Sequence, residues 1–207
     1  MKLNISIGVW RIFAGLLLTL LIGCAATYNP LDEFKEVKPS SIQKAPADAG
    51  KPSAGYSKEQ VALGKYIVDL LGCGTCHTDG ALVGEYNPER YLAGSNVGIA
   101  YTNPLMQKNP GVLYPPNLTP DPATGIGNWS DEQLEIMIRT GMDRQGHREL
   151  PVMPWPVYQK IKDEDVRAIV AYLRSLKPVK HQVPANVKPG RKTASEYVYF
   201  GIYQDRE

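Results

Sequence analysis

The run Cys73-Gly74-Thr75-Cys76-His77 constrains this 207-residue chain more than any other stretch. Two thiols and an imidazole fall within one short segment. Two intervening residues let a helical turn present both sulfurs to one side, and the next residue directs its ring to the same place. The chain has only three cysteines, Cys24, Cys73 and Cys76, too few for a disulfide framework. Three chemistries use such a pair. A thioredoxin-type redox pair follows a strand in a βαβ unit, but the residues before Cys73 have helical period. A structural zinc site needs a second pair of Cys or His ligands, and His147 and His181 are neither paired nor suitably spaced. The third chemistry is covalent attachment of haem, each thiol adding to a vinyl group while the histidine ligates iron. The motif points to this third chemistry, with one haem because there is one such motif.

The N-terminus reads as a targeting signal. Lys2 and Arg11 precede an uncharged run, Ile12 to Gly23, that is too short to span a bilayer. An uncleaved helix continuing through Arg11 is the alternative, and it places a charge within the membrane. The run ends in Leu21-Ile22-Gly23-Cys24, which resembles the bacterial lipobox. That resemblance implies a signal peptide over residues 1–23, lipidation of Cys24, and an exported, periplasmic, membrane-anchored protein. In such signals an Asp after the cysteine favours the inner membrane. Ala25 stands there instead, which implies outer-membrane sorting in a host with two membranes. Without that segment, basic and acidic side chains balance at 21 each. No basic block with interleaved aromatics stands out, so nucleic acid is not an expected partner.

Residues 24–56 are rich in Ala, Pro, Ser and Gly and read as a lipid-anchored flexible linker. A domain over 57–180 follows. Its first helix starts at Ser57 with Gln60 as capping-box partner, and Val61, Gly64, Val68 and Leu71 form its inner stripe. Gly64 costs about 1 kcal/mol relative to Ala inside a helix; a backbone or ring packed closely over it would explain it. Ser130 with Gln133 starts a second helix, lined by Leu134, Met137 and Ile138 and suited to end at Gly141. A third begins near Asp163, carries acids in its first turn, buries Val166, Ile169, Val170 and Leu173, and stops at Pro178. Between Ala81 and Asn128 no period is sustained, so this loop is functional or wraps around something. No alternating run suggests a sheet, and the expected fold class is all-α with long loops.

The segment 181–207 reads as a C-terminal tail. Residues 177–207 carry six basic and three acidic side chains, and Tyr197 to Tyr203 form an aromatic stretch. That stretch is too apolar to stay solvated and is expected to fold back on its own domain rather than dock on a partner.

A second axial ligand to iron has several candidates. Met106 lies in the long loop, Met137 sits on an apolar helical stripe, and Met142 follows a helix end. Met153 lies between Pro151 and Pro154, with Pro156 beyond, and the prolines pin its loop. His147 is the main rival.

Three stretches carry a family resemblance: Pro116-Asn117-Leu118-Thr119-Pro120-Asp121, Thr124-Gly125-Ile126-Gly127-Asn128-Trp129-Ser130-Asp131-Glu132, and Pro151-Val152-Met153-Pro154-Trp155-Pro156. With the C-x-x-C-H run and the two flanking helices, residues 57–180 resemble class I cytochromes c. They are most similar to single haem domains in the cytochrome subunits of membrane-bound alcohol and gluconate dehydrogenases. The resemblance implies a cytochrome c fold, with crossed terminal helices around one covalent haem and a ring such as Tyr172 over Gly64. It implies Cys73 and Cys76 as attachment sites, and His77 and Met153 as iron ligands. It implies a backbone carbonyl accepting from His77, that of Pro116 or alternatively Pro88. It also implies a haem propionate bound by Trp129, with Tyr114 and Arg90 as further candidates. Iron with both axial positions filled has no open site, so electron transfer rather than catalysis is expected. The expected partners are a redox donor and acceptor protein. Three readings follow: a tethered shuttle in an exported respiratory or dehydrogenase-linked chain, a fixed subunit of a larger membrane complex, or a haem enzyme or gas sensor in which Met153 dissociates.

Overall fold

The computed structural model describes residues 55–101, 111–149 and 152–199. Expectations about the signal segment, Cys24, most of the linker, Met106 and residues 200–207 lie outside them.

Helix α1, Lys58–Leu70, opens on the anticipated capping box. The Ser57 side chain accepts from the Gln60 N–H, and the Gln60 side chain accepts in return from the Ser57 N–H. Val61, Gly64 and Val68 are its buried residues. After the short helix α2, Cys73–His77, come two single 3-10 turns at Ala81–Val83 and Pro88–Arg90. Helix α3, Asp131–Thr140, repeats the capping box through Ser130 and Gln133, and ends where the Gly141 N–H donates to the Met137 carbonyl. Helix α4, Trp155–Tyr158, is one turn long. Helix α5, Asp163–Ser175, has Asp163, Glu164 and Asp165 in its first turn, where negative charge complements the helix dipole.

Helices α1 and α5 cross at Gly64. A β-carbon there would lie 1.8 Å from the Ala168 carbonyl oxygen and 2.8 Å from Tyr172 Cβ. The close approach offsets the helical cost of glycine and lets Tyr172 bury completely. Around the crossing, Val61, Val68, Leu92, Ile126, Leu134 and the apolar residues Ile169 to Leu173 form the first core. Arg174 fastens the end of α5 to the neighbouring loop. Its guanidinium donates to the Ile126 carbonyl at 2.9 Å, to the Trp129 carbonyl, and to Asp131 at 3.1 Å.

The all-α expectation needs correction. Strands β1, Gly98–Tyr101, β2, Gly111–Leu113, and β3, Tyr197–Tyr199, form a sheet in the order β2-β1-β3. β1 pairs antiparallel with β2 and parallel with β3. Strands of three or four residues are too short to show alternation, and the parallel partner comes from far along the chain. Ala100, Val112 and Tyr114 make a second core here, covered by Val183, Val187 and Tyr199. Val112 and Val187 exchange backbone hydrogen bonds at 2.9 and 2.8 Å. From the segment after 181, Val187 and Tyr197–Tyr199 thus pair with this sheet, and Tyr197–Tyr199 fold back on the chain's own domain. Among the described residues no helix is long and apolar enough to cross a membrane.

Candidate functional site

α1 delivers the chain directly to the cysteine pair. Gly72, at φ +68°, takes the left-handed conformation that separates α1 from α2. α2 is one turn, so Cys73, Cys76 and His77 share a side. The two thiols are half-buried and unbridged. Burial pushes the Cys73 thiol up to about 11 and raises Cys76 in the same direction.

His77 Nδ1 lies 2.8 Å from the Pro116 carbonyl oxygen. That oxygen can only accept, so Nδ1 carries the proton and donates. Burial lowers the pKa of the imidazole, and the Pro116 contact opposes that shift. The other ring nitrogen, Nε2, makes no hydrogen bond among the described residues. Pro88, the alternative acceptor, instead receives the Tyr91 N–H inside its 3-10 turn.

Side-chain bonds rather than secondary structure hold the loop that presents Pro116. Asn117 Oδ1 accepts from the Thr119 N–H at 2.9 Å and from its hydroxyl at 2.7 Å. Asp121 Oδ1 accepts from the Thr124 N–H and hydroxyl, each at 2.7 Å. These bonds from Thr124 keep the Asp121 carboxyl below its ordinary range. Such Asx-type closures explain how a stretch without period is nonetheless fixed.

Met153 is half-buried in the turn before α4, and its carbonyl accepts from the Trp155 N–H at 2.7 Å. At the other end of α4, the Tyr158 hydroxyl is pushed up to about 12, by burial first and then by Cys73 and Cys76. The Tyr158 ring therefore lies near the cysteine pair. His147 is the alternative to Met153. It is exposed on a tight turn, with Nδ1 3.2 Å from Asp143 Oδ2. Trp129 is half-buried against the first core, with the Arg144 guanidinium 4.9 Å from its ring centre. Tyr114 and Arg90 are otherwise engaged. The Tyr114 hydroxyl bonds Thr193 at 2.8 Å, and Arg90 pairs with Asp79 at 2.7 Å.

Sequence reasoning overlooks Tyr91 and Asp69. The Tyr91 ring lies where a Gly74 β-carbon would meet it at 3.0 Å, and its hydroxyl donates to Asp69 at 3.2 Å. Asp69 also pairs with Lys65 at 2.5 Å. Glycine as the first residue between the cysteines is the available signal, since it leaves room for a ring against the turn.

The residues present fit a covalent haem. Two thiols stand unbridged on one turn beside an imidazole whose second nitrogen is uncommitted and whose first is anchored, the arrangement that fixes a metal-bound histidine. Comparison with known proteins agrees. The family model for cytochrome c matches residues 61–177. The chain is 36% identical over 136 residues to one of the nicotinate dehydrogenase subunits of Pseudomonas putida, covering 65% of this chain and 10% of that protein. It is 31% identical over 154 residues to the fructose dehydrogenase cytochrome subunit of Gluconobacter japonicus, covering 74% and 27%. It is 35% identical over 121 residues to the cytochrome c subunit of the quinone alcohol dehydrogenase of Gluconobacter oxydans, covering 58% and 22%. The chain thus spans about a quarter or less of the length of these three relatives. On the family match and on the cysteine turn that it contains, the chain belongs to the cytochrome c family.

Proposed function

We propose that this protein carries single electrons through one covalently bound haem, ligated by His77 and Met153, and catalyses no reaction of its own. The observation that carries the reading is the His77–Pro116 contact at 2.8 Å, which leaves Nε2 free beside two unbridged thiols. The haem supplies a one-electron couple. Cys73 and Cys76 hold it by thioether bonds, so it cannot dissociate. Pro116 fixes the tautomer and plane of His77 and raises its basicity. The half-buried Met153, between Pro151 and Pro154, is a weak ligand kept in place by a stiff loop. His/Met ligation favours a higher potential than two histidines. Trp129 is assigned to a haem propionate on the family resemblance. Mass spectrometry of the mature protein should show one haem per chain, retained through acid-acetone extraction. An unmodified chain from cells able to attach haem would end the proposal.

Localisation belongs to the same reading. The run ending at Cys24 supports export, removal of residues 1–23 and lipid anchoring, with the domain outside the cytoplasmic membrane. Cys24→Ser should block acylation and leave an uncleaved precursor. Lipid-labelled mature protein in that variant would contradict the anchor.

A fixed subunit of a larger complex is the second reading, favoured by relatives that are named as dehydrogenase subunits. Co-purification of the lipidated protein separates the two, since a shuttle purifies alone and a fixed component carries its dehydrogenase with it.

A further inference from the structure

The segment from Val179 to Val183 lies behind the Pro116 loop. Asn117 Nδ2 donates to the Val179 carbonyl at 2.8 Å, and the Val179 N–H donates to Thr119 Oγ1 at 3.1 Å. The His181 N–H donates to Thr124 Oγ1 at 3.0 Å. His181 itself is buried, with 7% of its surface exposed. Its Nδ1–H donates to the Ala93 carbonyl at 2.8 Å, and Nε2 accepts from Arg90 Nη1 at 3.1 Å. Arg90 is held in turn by Asp79, two residues past His77.

The stretch that His181 grips, Leu92 to Ser95, touches both halves of the His77–Pro116 contact. The Gly94 N–H donates to the His77 carbonyl at 2.8 Å, and the Ser95 N–H to the Pro115 carbonyl at 3.0 Å. The Leu92 carbonyl accepts from the Leu118 N–H at 2.8 Å. Gly94, at φ +86°, is closed in from both sides. A β-carbon there would meet Val183 Cγ1 at 2.6 Å, and the Asn117 nitrogen and Pro115 oxygen at 2.9 Å. One stretch of backbone therefore joins the main chain of His77 to Pro115 and Leu118, on either side of Pro116, with His181 and Val183 packed against it.

We infer that His181 is a positioning residue for the proximal imidazole: by bracing Leu92 to Ser95 it sets the His77–Pro116 hydrogen bond, and through that bond the reduction potential. The inference rests on His77 being the iron ligand. A firm Nδ1–H···O bond makes the imidazole a stronger donor and favours ferric iron. Loosening the brace weakens the bond, so the potential rises. Thr193, at the remote end of the same segment, bonds the Tyr114 hydroxyl, accepts from the Ser195 N–H and, among the described residues, makes no hydrogen bond to Leu92 to Ser95. Stability and potential are therefore separable.

The test uses the full holoprotein and two readouts, midpoint potential and solvent exchange of the His77 Nδ1 proton by NMR of the reduced state. In the unaltered protein the His77 ring protons should show the large haem ring-current shift. Its absence would defeat the ligand assignment itself, whatever the variants do. His181→Leu keeps the volume and removes the donor. It should raise the potential and speed exchange about tenfold, while His181→Asn, whose amide can donate to Ala93, should restore both towards the original values. Val183→Ala is milder and should shift both readouts the same way by less, which keeps the test decisive if His181→Leu does not fold. Thr193→Val should lower the melting temperature and leave both readouts in place. Unchanged potential and exchange in the His181→Leu and Val183→Ala proteins would overturn the inference, as would equal shifts from Thr193→Val.

Discussion

The two cores of the molecule are assembled differently. The first joins two long amphipathic helices across Gly64, and each helix shows its apolar stripe within a dozen or so residues. The second joins strands of three or four residues, and its cover comes from Val183, Val187 and Tyr199. Local periodicity specifies the helical core, and long-range pairing specifies the sheet. The cysteine turn hangs from the helical core, whereas the carbonyl that orients His77 is held next to the sheet and the C-terminal segment. The site therefore depends on both, and each can be weakened separately.

The largest effect should come from the helix crossing. Gly64→Val places a side chain where even a β-carbon would lie 1.8 Å from a backbone oxygen. α1 and α5 must then separate, at a cost of at least ~3 kcal/mol in denaturant unfolding. A loss below ~1 kcal/mol would mean that the crossing tolerates a gap and contributes less than its burial suggests.

Ending the chain at Lys180 attacks the second core instead. Val112 and Tyr114 lose their cover and Tyr114 loses its partners at Thr193 and Asn186. We expect a loss of about 3 kcal/mol, read as a lower melting temperature with most helical circular dichroism retained at room temperature. An unchanged melting temperature would show that the sheet contributes nothing to stability, and the comparison between the two cores would fail.

Alkaline pH should sharpen the comparison, because the perturbed phenols belong to the helical side. Tyr56, bonded to Asp131, is raised to about 12, as are Tyr158 and Tyr172, each chiefly by burial. A folded-state pKa above the unfolded value near 10 means that the folded chain keeps its proton longer. This contribution is complete below pH ~10 and is lost as pH rises towards ~12. Tyr56→Phe should flatten part of that decline in a pH series of melting temperatures. An identical slope in the variant would remove Tyr56 from the account.

Legibility in the sequence follows the same division. Both capping boxes and the buried stripes of α1 and α5 are readable, because each depends on residues a few positions apart, whereas the partner of Gly64 across the crossing, Tyr172, is reachable only through family resemblance. The sheet is not, since its strands are too short to alternate and β3 pairs across almost a hundred residues. In the site, Cys73, Cys76 and His77 announce themselves by spacing, whereas the Pro116 contact is reachable only through family resemblance. Tyr91 and His181 carry no motif. Their roles exist only once the fold has brought Gly74 and Ala93 against them.

The most direct test of the central claim is the near-infrared absorption of the oxidised protein, together with that of two variants. With His77 and Met153 on iron, the sulfur-to-iron charge-transfer band should be present. Met153→Ala should abolish it and lower the potential, and His147→Ala should leave both unchanged. No band in the unaltered protein, or a band lost in His147→Ala but kept in Met153→Ala, would contradict the assignment.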